Sequence, residues 1–399
     1  MPFLFIFLLS IGSALAEDKP ATIADVNRAV KDALASKWYE KLNIRGYAQL
    51  RYNRLFESNK DLKCPQCDKS IGEKNGFFLR RARIILFGEV SDRVFVYVQP
   101  DYASADDAGN QLNYFQMRDA YFDYALTLDK SWRIRSGISK VPFGFQNLQS
   151  SSNRPALDRD DALNSALPNE RDTGVYLMWS PEEVRTRFKE LTSNNLKGSG
   201  DYGMFTFGTY NGQTLNRPEK NNDLHRIARF TYPFKLAGGQ FIEASVQAYE
   251  GKFQMINGSA VGKDFHEQRA AASLVVYPQP LGIQAEYNIG RGPEYDSGSN
   301  KVTNQDLRGG YIMPYYQFYY GNNRFFPYVR YQKYDGGKKL ESASLYEVEE
   351  IELGTEWQPN PALELTVAFA NSDRLTQSAA NNKKHEIGHL LRLQAQFNY

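Results

Sequence analysis

From Leu42 to Tyr399 apolar and polar residues alternate with a period of two, segment after segment. In the first, Leu42, Ile44, Gly46, Ala48, Leu50 and Tyr52 share one face, and Asn43, Arg45, Tyr47, Gln49, Arg51 and Asn53 share the other, because successive side chains of a strand point to opposite sides. Ile242, Ala244, Val246 and Ala248 stand in the same way against Glu243, Ser245, Gln247 and Tyr249, and Leu363, Leu365, Val367 and Phe369 against Glu364 and Thr366. A strand with one oily and one wet face belongs to a soluble sandwich or to a barrel with a lipid exterior and a hydrated interior. Loop rhythm separates the two. About sixteen strands start near residues 42, 77, 93, 112, 132, 173, 202, 224, 240, 266, 281, 307, 324, 346, 361 and 384. Short turns at 91–92, 128–130, 235–239, 278–280, 321–323 and 358–360 alternate with polar loops over 56–76, 103–110, 142–172, 212–223, 253–265, 291–305, 335–345 and 373–383. Short connections on one rim and long ones on the other predict an all-β fold, a transmembrane antiparallel β-barrel.

Composition agrees. Tyr and Phe number 26 and 25, against 4 Trp, 4 His, 6 Met and 2 Cys, a balance that suits strands and interfacial belts. Trp132, Trp179, Tyr232, Phe234, Tyr277, Phe325, Phe326 and Trp357 sit beside the short turns, where such a belt is expected. Mean hydropathy is negative, and beyond the amino terminus no apolar run is long enough for a membrane helix. The apolar stretch from Phe3 to Ile11 and the small residues Ala14-Leu15-Ala16 predict a signal peptide over 1–16, although no Lys or Arg precedes the apolar stretch. Residues 17–41 read as a periplasmic segment with a short amphipathic helix over 23–41, and 42–399 as the barrel in the outer-membrane lipid. The final strand ends on Tyr399 and looks like the terminal signal read by the barrel-assembly machinery.

Several features invite chemistry. His385-Glu386-Ile387-Gly388-His389 matches the zinc-hydrolase pattern, which makes a metal-dependent outer-membrane enzyme the alternative function. On a helix the two imidazoles would share one metal; on a strand, which the surrounding alternation predicts, they lie roughly 13 Å apart. Neither catalytic residues nor a metal or other cofactor are therefore expected. Asp158, Asp160 and Asp161 lack the glycine and terminal glutamate of a calcium loop, and Gly198-Ser199-Gly200 reads as a flexible turn. Cys64 and Cys67 suit a disulfide in an oxidising compartment, with free thiols or a metal as the alternatives. A formal net charge of +2 supplies no bulk basicity for nucleic acid. Residues 180–201 place a long connection, helical over 181–191, where a short turn is due, and no role follows from the pattern.

Phe78-Leu79-Arg80-Arg81-Ala82-Arg83, Arg118-Asp119-Ala120-Tyr121-Phe122-Asp123-Tyr124 and Lys140-Val141-Pro142-Phe143-Gly144-Phe145 occur in order, followed by Ser151-Ser152-Asn153-Arg154 and Asn169-Glu170-Arg171-Asp172-Thr173-Gly174-Val175. As a set these resemble the phosphate-selective porin O and P family, over residues 42–399. The resemblance implies a homotrimer of sixteen-stranded barrels, each a water-filled channel for small hydrophilic solutes, with the third long loop, 142–172, folded inward. That loop brings Lys140, Arg154, Arg159 and Arg171, and alternation turns Arg45, Arg51, Arg81, Arg83, Arg133, Arg135, Arg229 and Arg330 to the lumen. Guanidinium groups stay charged and replace water around an oxyanion, so these residues are the expected path for small anions. Asp158, Asp160, Asp161, Glu170 and Asp172 of the loop oppose them. If these acids pair with Arg159 and Arg171, the expected outcome is a weak anion preference, with phosphate or polyphosphate selectivity as its stronger form.

Overall fold

The computed structural model describes residues 22, 23, 27, 37–62, 76–107 and 110–399. The signal segment, most of the expected 23–41 helix, and Cys64 and Cys67 lie outside the described residues. Trp38–Lys41 forms one 3-10 turn.

Residues 43–399 make a single antiparallel sheet. Its strands are β1 (Asn43–Leu55), β2 (Gly76–Glu89), β3 (Val94–Asp107), β4 (Asn110–Ala125), β5 (Trp132–Lys140), β6 (Arg171–Trp179), β7 (Phe205–Tyr210), β8 (His225–Lys235) and β9 (Phe241–Gln254). They continue as β10 (Asp264–Val276), β11 (Leu281–Asp296), β12 (Lys301–Tyr316), β13 (Phe318–Tyr320), β14 (Asn323–Lys338), β15 (Ser344–Asn360), β16 (Leu363–Ser378) and β17 (Asn381–Asn398). Strand β13 extends β12 beyond Gln317 along the same neighbour, β14, so the wall has 16 staves. Strand β1 pairs with β17, Tyr47 opposite Asn398, and the ring closes. Tyr399 locks the seam by exchanging backbone hydrogen bonds of 2.6 and 3.0 Å with Gly46. Closure leaves no sheet edge to be satisfied in lipid.

Alternation decides the faces. Val246, Leu274, Tyr287, Ile289, Ile312, Val329, Ile351, Leu353 and Val367 are exposed on the outside, while their strand neighbours Gln247, Ser273, Glu286, Arg330, Glu350, Glu352 and Thr366 are buried inside. Six of the eight aromatics placed in the belt face outward or are half-buried, but Tyr277 and Phe326 are corrections, since both are fully buried in the lumen. They stand in the inward phase: Tyr277 donates to Glu243 at 2.6 Å, and the Lys197 ammonium lies 4.5 Å from the Phe326 ring. Several hairpins also run further than their polar composition predicts. The β11–β12 pairing continues to Asp296 and Lys301, and β14–β15 to Lys338 and Ser344, across stretches expected as loops 291–305 and 335–345. These ends carry polar residues on both faces, which erases the amphipathic signal but leaves the backbone ladder intact.

The third long connection, residues 141–170, turns into the barrel. It holds two short helices, α1 (Phe145–Leu148) and α2 (Asp161–Ala166). The turn inward starts at Gly144, whose φ of 80° and contact with Leu163 leave no room for a side chain. Val141, Phe143, Leu163, Ala166 and Leu167 pack on Tyr176, Met178, Tyr210, Ile227, Tyr249 and Ala271 of the lumen wall, so one side of the loop is held by apolar burial. A second segment enters from the short-turn rim: α3 (Glu182–Ser193) and the strand-free stretch 194–204 follow β6. Val184, Phe188 and Leu191 of α3 seat against Phe145, Phe241, Val275 and Tyr277.

Candidate functional site

The lumen between these two segments and the wall holds most of the buried charge. Residues expected on the anion path fall into separate groups. Arg51 of β1 reaches the loop, pairing with Asp158 at 3.1 Å and donating to the Leu157 carbonyl at 2.6 Å. Arg392 of β17 meets the same Asp158 at 2.9 Å and pairs with Glu352. Arg330 of β14 donates to the Asp158 carbonyl at 2.6 Å and lies 3.4 Å from both Glu350 and Glu352. Arg374 completes the row on Glu350 at 2.7 Å. This is a wall-to-loop lattice in which every acid meets more than one cation.

A second group gathers on Glu170, which lies within ion-pair distance of Arg118, Arg154, Arg159 and Arg171. Arg171 also chelates Asp119 at 3.0 Å, and Asp101 holds Arg83 at 3.0 Å and Arg118 at 3.9 Å. Burial alone would push the Glu170 carboxyl up, but Arg171, Arg159, Arg154 and Lys140 hold it well below the usual carboxylate range. Burial brings Arg154 down to about 10 against the pull of Glu170, still protonated at neutral pH.

Charge is not matched one to one. Arg81, 4% exposed, donates to Gln49 at 2.8 Å and pairs with no acid among the described residues. Around it stand Arg51, Arg80, Arg83 and Arg154. Nε of Arg81 and both Nε and Nη1 of Arg154 find no acceptor among the described residues, and buried donors of this kind cost free energy unless something polar meets them. Lys140 is satisfied by the carbonyls of Leu148 and Gln149 at 3.1 and 2.8 Å and, among the described residues, by no carboxylate.

The loop acids differ from the expected pairing. Arg171 and Arg159 serve Glu170, whereas Asp158 takes wall arginines and Asp161 takes Lys338 of β14 at 3.2 Å. Asp160 caps α2 by accepting from the Leu163 amide at 3.1 Å. Asp172 accepts from the amides of Thr173, Gly212 and Thr214 at 2.8 to 3.0 Å. Three of the expected arginines stand apart from this centre. Arg135 chelates Asp123 at 2.7 and 2.8 Å beneath Tyr121, Arg229 pairs with Glu243 at 3.3 Å, and Arg133 pairs with Asp201 at 2.6 Å. Arg45 lies over the Phe87 ring, 5.0 Å from its centroid. Arg45, Arg133 and Arg135 line a cavity of about 1200 Å³ between the short-turn rim and the underside of the inward loop, reached also by Lys140, Arg171 and the polar face of α3.

Arg118, Arg269, Arg374, Arg392, Lys197 and Lys338 belong to these networks without having been expected there. Arg269, Arg374 and Arg392 share the inward phase of their strands, so alternation was a sufficient signal. Arg118 is the unpaired residue of a bulge opposite Gln99 and Pro100, and there both Arg118 and its neighbour Asp119 are buried, which no two-residue period reveals. His385 and His389 lie in β17 on the exposed side; His385 is 2.6 Å from Asp373, and His389 packs on Phe369. Among the described residues no cluster of three His, Cys, Asp or Glu side chains is placed to hold a metal.

A closed ring with an apolar exterior, a charged lumen and an infolded third loop defines an outer-membrane β-barrel porin. A sequence profile of the phosphate-selective porin O and P family matches residues 52–268 and 253–399, and the chain belongs to that family, which places it in the bacterial outer membrane. Solved structures similar in fold include the outer-membrane channel DcaP of Acinetobacter baumannii (TM-score 0.55, 16% identity, 90% of this chain and 97% of that one). The anion-selective porin of Comamonas acidovorans is similar too (0.52, 10%, 90% and 99%), as is the trimer form of OmpT from Vibrio cholerae (0.51, 10%, 90% and 99%). No curated protein sequence matches the chain.

Proposed function

We propose that the protein is a passive diffusion channel for small hydrophilic solutes, not an enzyme, with a weak preference for anions that includes phosphate or polyphosphate. The observation that carries the preference is the pair Arg81 and Arg154, buried among further arginines and holding donors without acceptors among the described residues. An oxyanion passing there would gain charge-assisted hydrogen bonds that the protein itself does not fill. The acids of the loop and wall moderate the field, because Glu170 and Asp158 each neutralise more than one cation. The Comamonas acidovorans porin is described as anion-selective, in keeping with this proposal. Hydrolysis through His385 and His389 has no support in an exposed strand, where two imidazoles four residues apart cannot share a metal. We further propose a homotrimer, in line with the trimer form of OmpT, assembled by the barrel machinery into outer-membrane lipid.

Planar-bilayer recordings test the proposal. Stepwise conductance with a reversal potential on the anion side in chloride is expected, as is a block by millimolar-range phosphate that weakens in Arg154→Ala and Arg171→Ala. A channel that phosphate neither blocks nor shifts in reversal potential would remove phosphate from the proposed solutes.

A further inference from the structure

Two buried acids of the lumen differ from the rest. Asp160 is the N-cap of α2 in the inward loop, and Glu286 lies on the inner face of β11; they are 0% and 3% exposed. Asp158, Asp161 and Glu170 each meet a cation, whereas among the described residues neither Asp160 nor Glu286 has one within ion-pair distance. The cations near them are already engaged. Arg159 and Arg330, beside Asp160, serve Glu170, Glu350 and Glu352; Arg229, beside Glu286, serves Glu243; and Lys338 of β14 holds the adjoining Asp161.

Each of the two carboxyls has one oxygen satisfied and one not. Oδ1 of Asp160 accepts from the Leu163 amide at 3.1 Å, and Oε2 of Glu286 from the Phe145 amide at 2.5 Å. Oδ2 of Asp160 and Oε1 of Glu286 find no donor among the described residues. The charged group that acts most strongly on Glu286 is Asp160. A side chain on Gly144 would meet both Oε1 of Glu286 and the Leu163 side chain, so the wall acid stands at the corner against which α2 closes. Neutral groups flank it: Tyr311 of β12 and Ser273 of β10 lie opposite in register, and Asn288 follows on the same face. Two neighbouring carboxylates without a cation cannot both stay charged in a buried space, and one of them keeps a proton instead.

We propose that Asp160 and Glu286 share one proton between Oδ2 and Oε1, and that this hydrogen bond is a latch, released by rising pH, that fastens the α2 end of the inward loop to β11. On release the proton goes to water, and two carboxylates then repel across the joint. Burial pushes the Asp160 carboxyl up to about 6, against about 3.9 in the unfolded chain. The stabilisation is therefore complete below the unfolded value and is lost as pH rises through about 6 and beyond, the proton belonging to the pair rather than to either acid. Phe143, Leu167 and Asp158 continue to hold the loop, so only the α2 end lifts. The latch concerns loop position and does not depend on which solute passes.

The test compares the full-length wild type with Glu286→Gln and Asp160→Asn, in planar bilayers and by thermal unfolding in detergent, between about pH 5 and about pH 9. In either variant the side-chain amide supplies the bridging hydrogen permanently and keeps an oxygen for the backbone amide; retained heat-modifiable migration verifies folding. In wild type the ratio of unseated to seated dwell time is expected to rise by up to about tenfold per pH unit above the release range, the slope of a single proton, and the unfolding temperature to fall with it. Both variants keep every other titratable group and should lose this component. Equal pH profiles in wild type and both folded variants overturn the latch. A wild-type profile flattened by added calcium also overturns it, because a cation would then stand where the proton is placed. A chain without conductance would refute the channel and leave the unfolding profiles to decide the latch.

Discussion

Glu170 shows how much one side chain governs here. It compensates Arg118, Arg154, Arg159 and Arg171 at once, so Glu170→Gln should release cationic field at the loop and raise both the anion permeability ratio and the affinity of phosphate block. The same change leaves buried guanidinium groups uncompensated, with a cost of about 3–5 kcal/mol to the barrel measured by thermal unfolding in detergent. Its pH signature follows from sign. The carboxyl is held below its ordinary range, so its stabilisation is fully present above about pH 4.3, the unfolded value, and is lost only as pH falls towards the depressed folded value. The contribution of Glu170 to loop position should therefore be constant from neutral pH down to that limit in wild type. A drift already between pH 7 and 5 that Glu170→Gln abolishes would contradict this assignment.

At the level of elements, the inward loop is attached by two different means. Its apolar side packs on β6 to β10 through Phe143, Leu163 and Leu167, and its polar side is tied to β1, β2 and β17 through Ser151 and Asp158. The corner that aims it is Gly144, with the Phe145 amide on Glu286 at 2.5 Å. Gly144→Ala would impose a backbone cost of about 1–3 kcal/mol at positive φ, besides a clash with Leu163. We expect a lower unfolding temperature and noisier, larger single-channel currents as the loop leaves its seat; currents identical to wild type would show that the corner does not set loop position. The insertion carrying α3 is the complementary element, and its apolar face against Phe145 ties it to the same corner.

For the whole molecule, the height of the wall is uneven. Strands β5 and β6 have 9 residues and β7 has 6, whereas β11, β12 and β14 have 16, and β15 and β17 have 17 and 18. A spanning strand needs about 9–11 residues, so the low side is the one a neighbouring copy would most usefully cover. The proposed homotrimer predicts a mass of three chains in detergent by light scattering with multi-angle detection, and a ladder ending at three on chemical cross-linking. A monodisperse single chain at micromolar concentration would refute it.

What the sequence by itself determined is the membrane-spanning class of the fold: a period of two fixes faces, and an alternating chain without a long apolar helix can satisfy its backbone in lipid only by closing a ring. The infolding of the loop over 142–172 was implied only by the resemblance of its motifs to a known family, whereas alternation turned Arg51, Arg81, Arg83 and Arg330 inward, where they are buried. Only the tertiary structure decided which cation meets which acid. Asp158 is joined to Arg51 and Arg392 across separations in sequence of 107 and 234 residues, and Arg118 turns inward at a bulge that shifts the register. Face is a property of one strand, read from neighbours along the chain. Partnership depends on how sixteen staves and two infolded segments share one enclosed space, which no local period encodes.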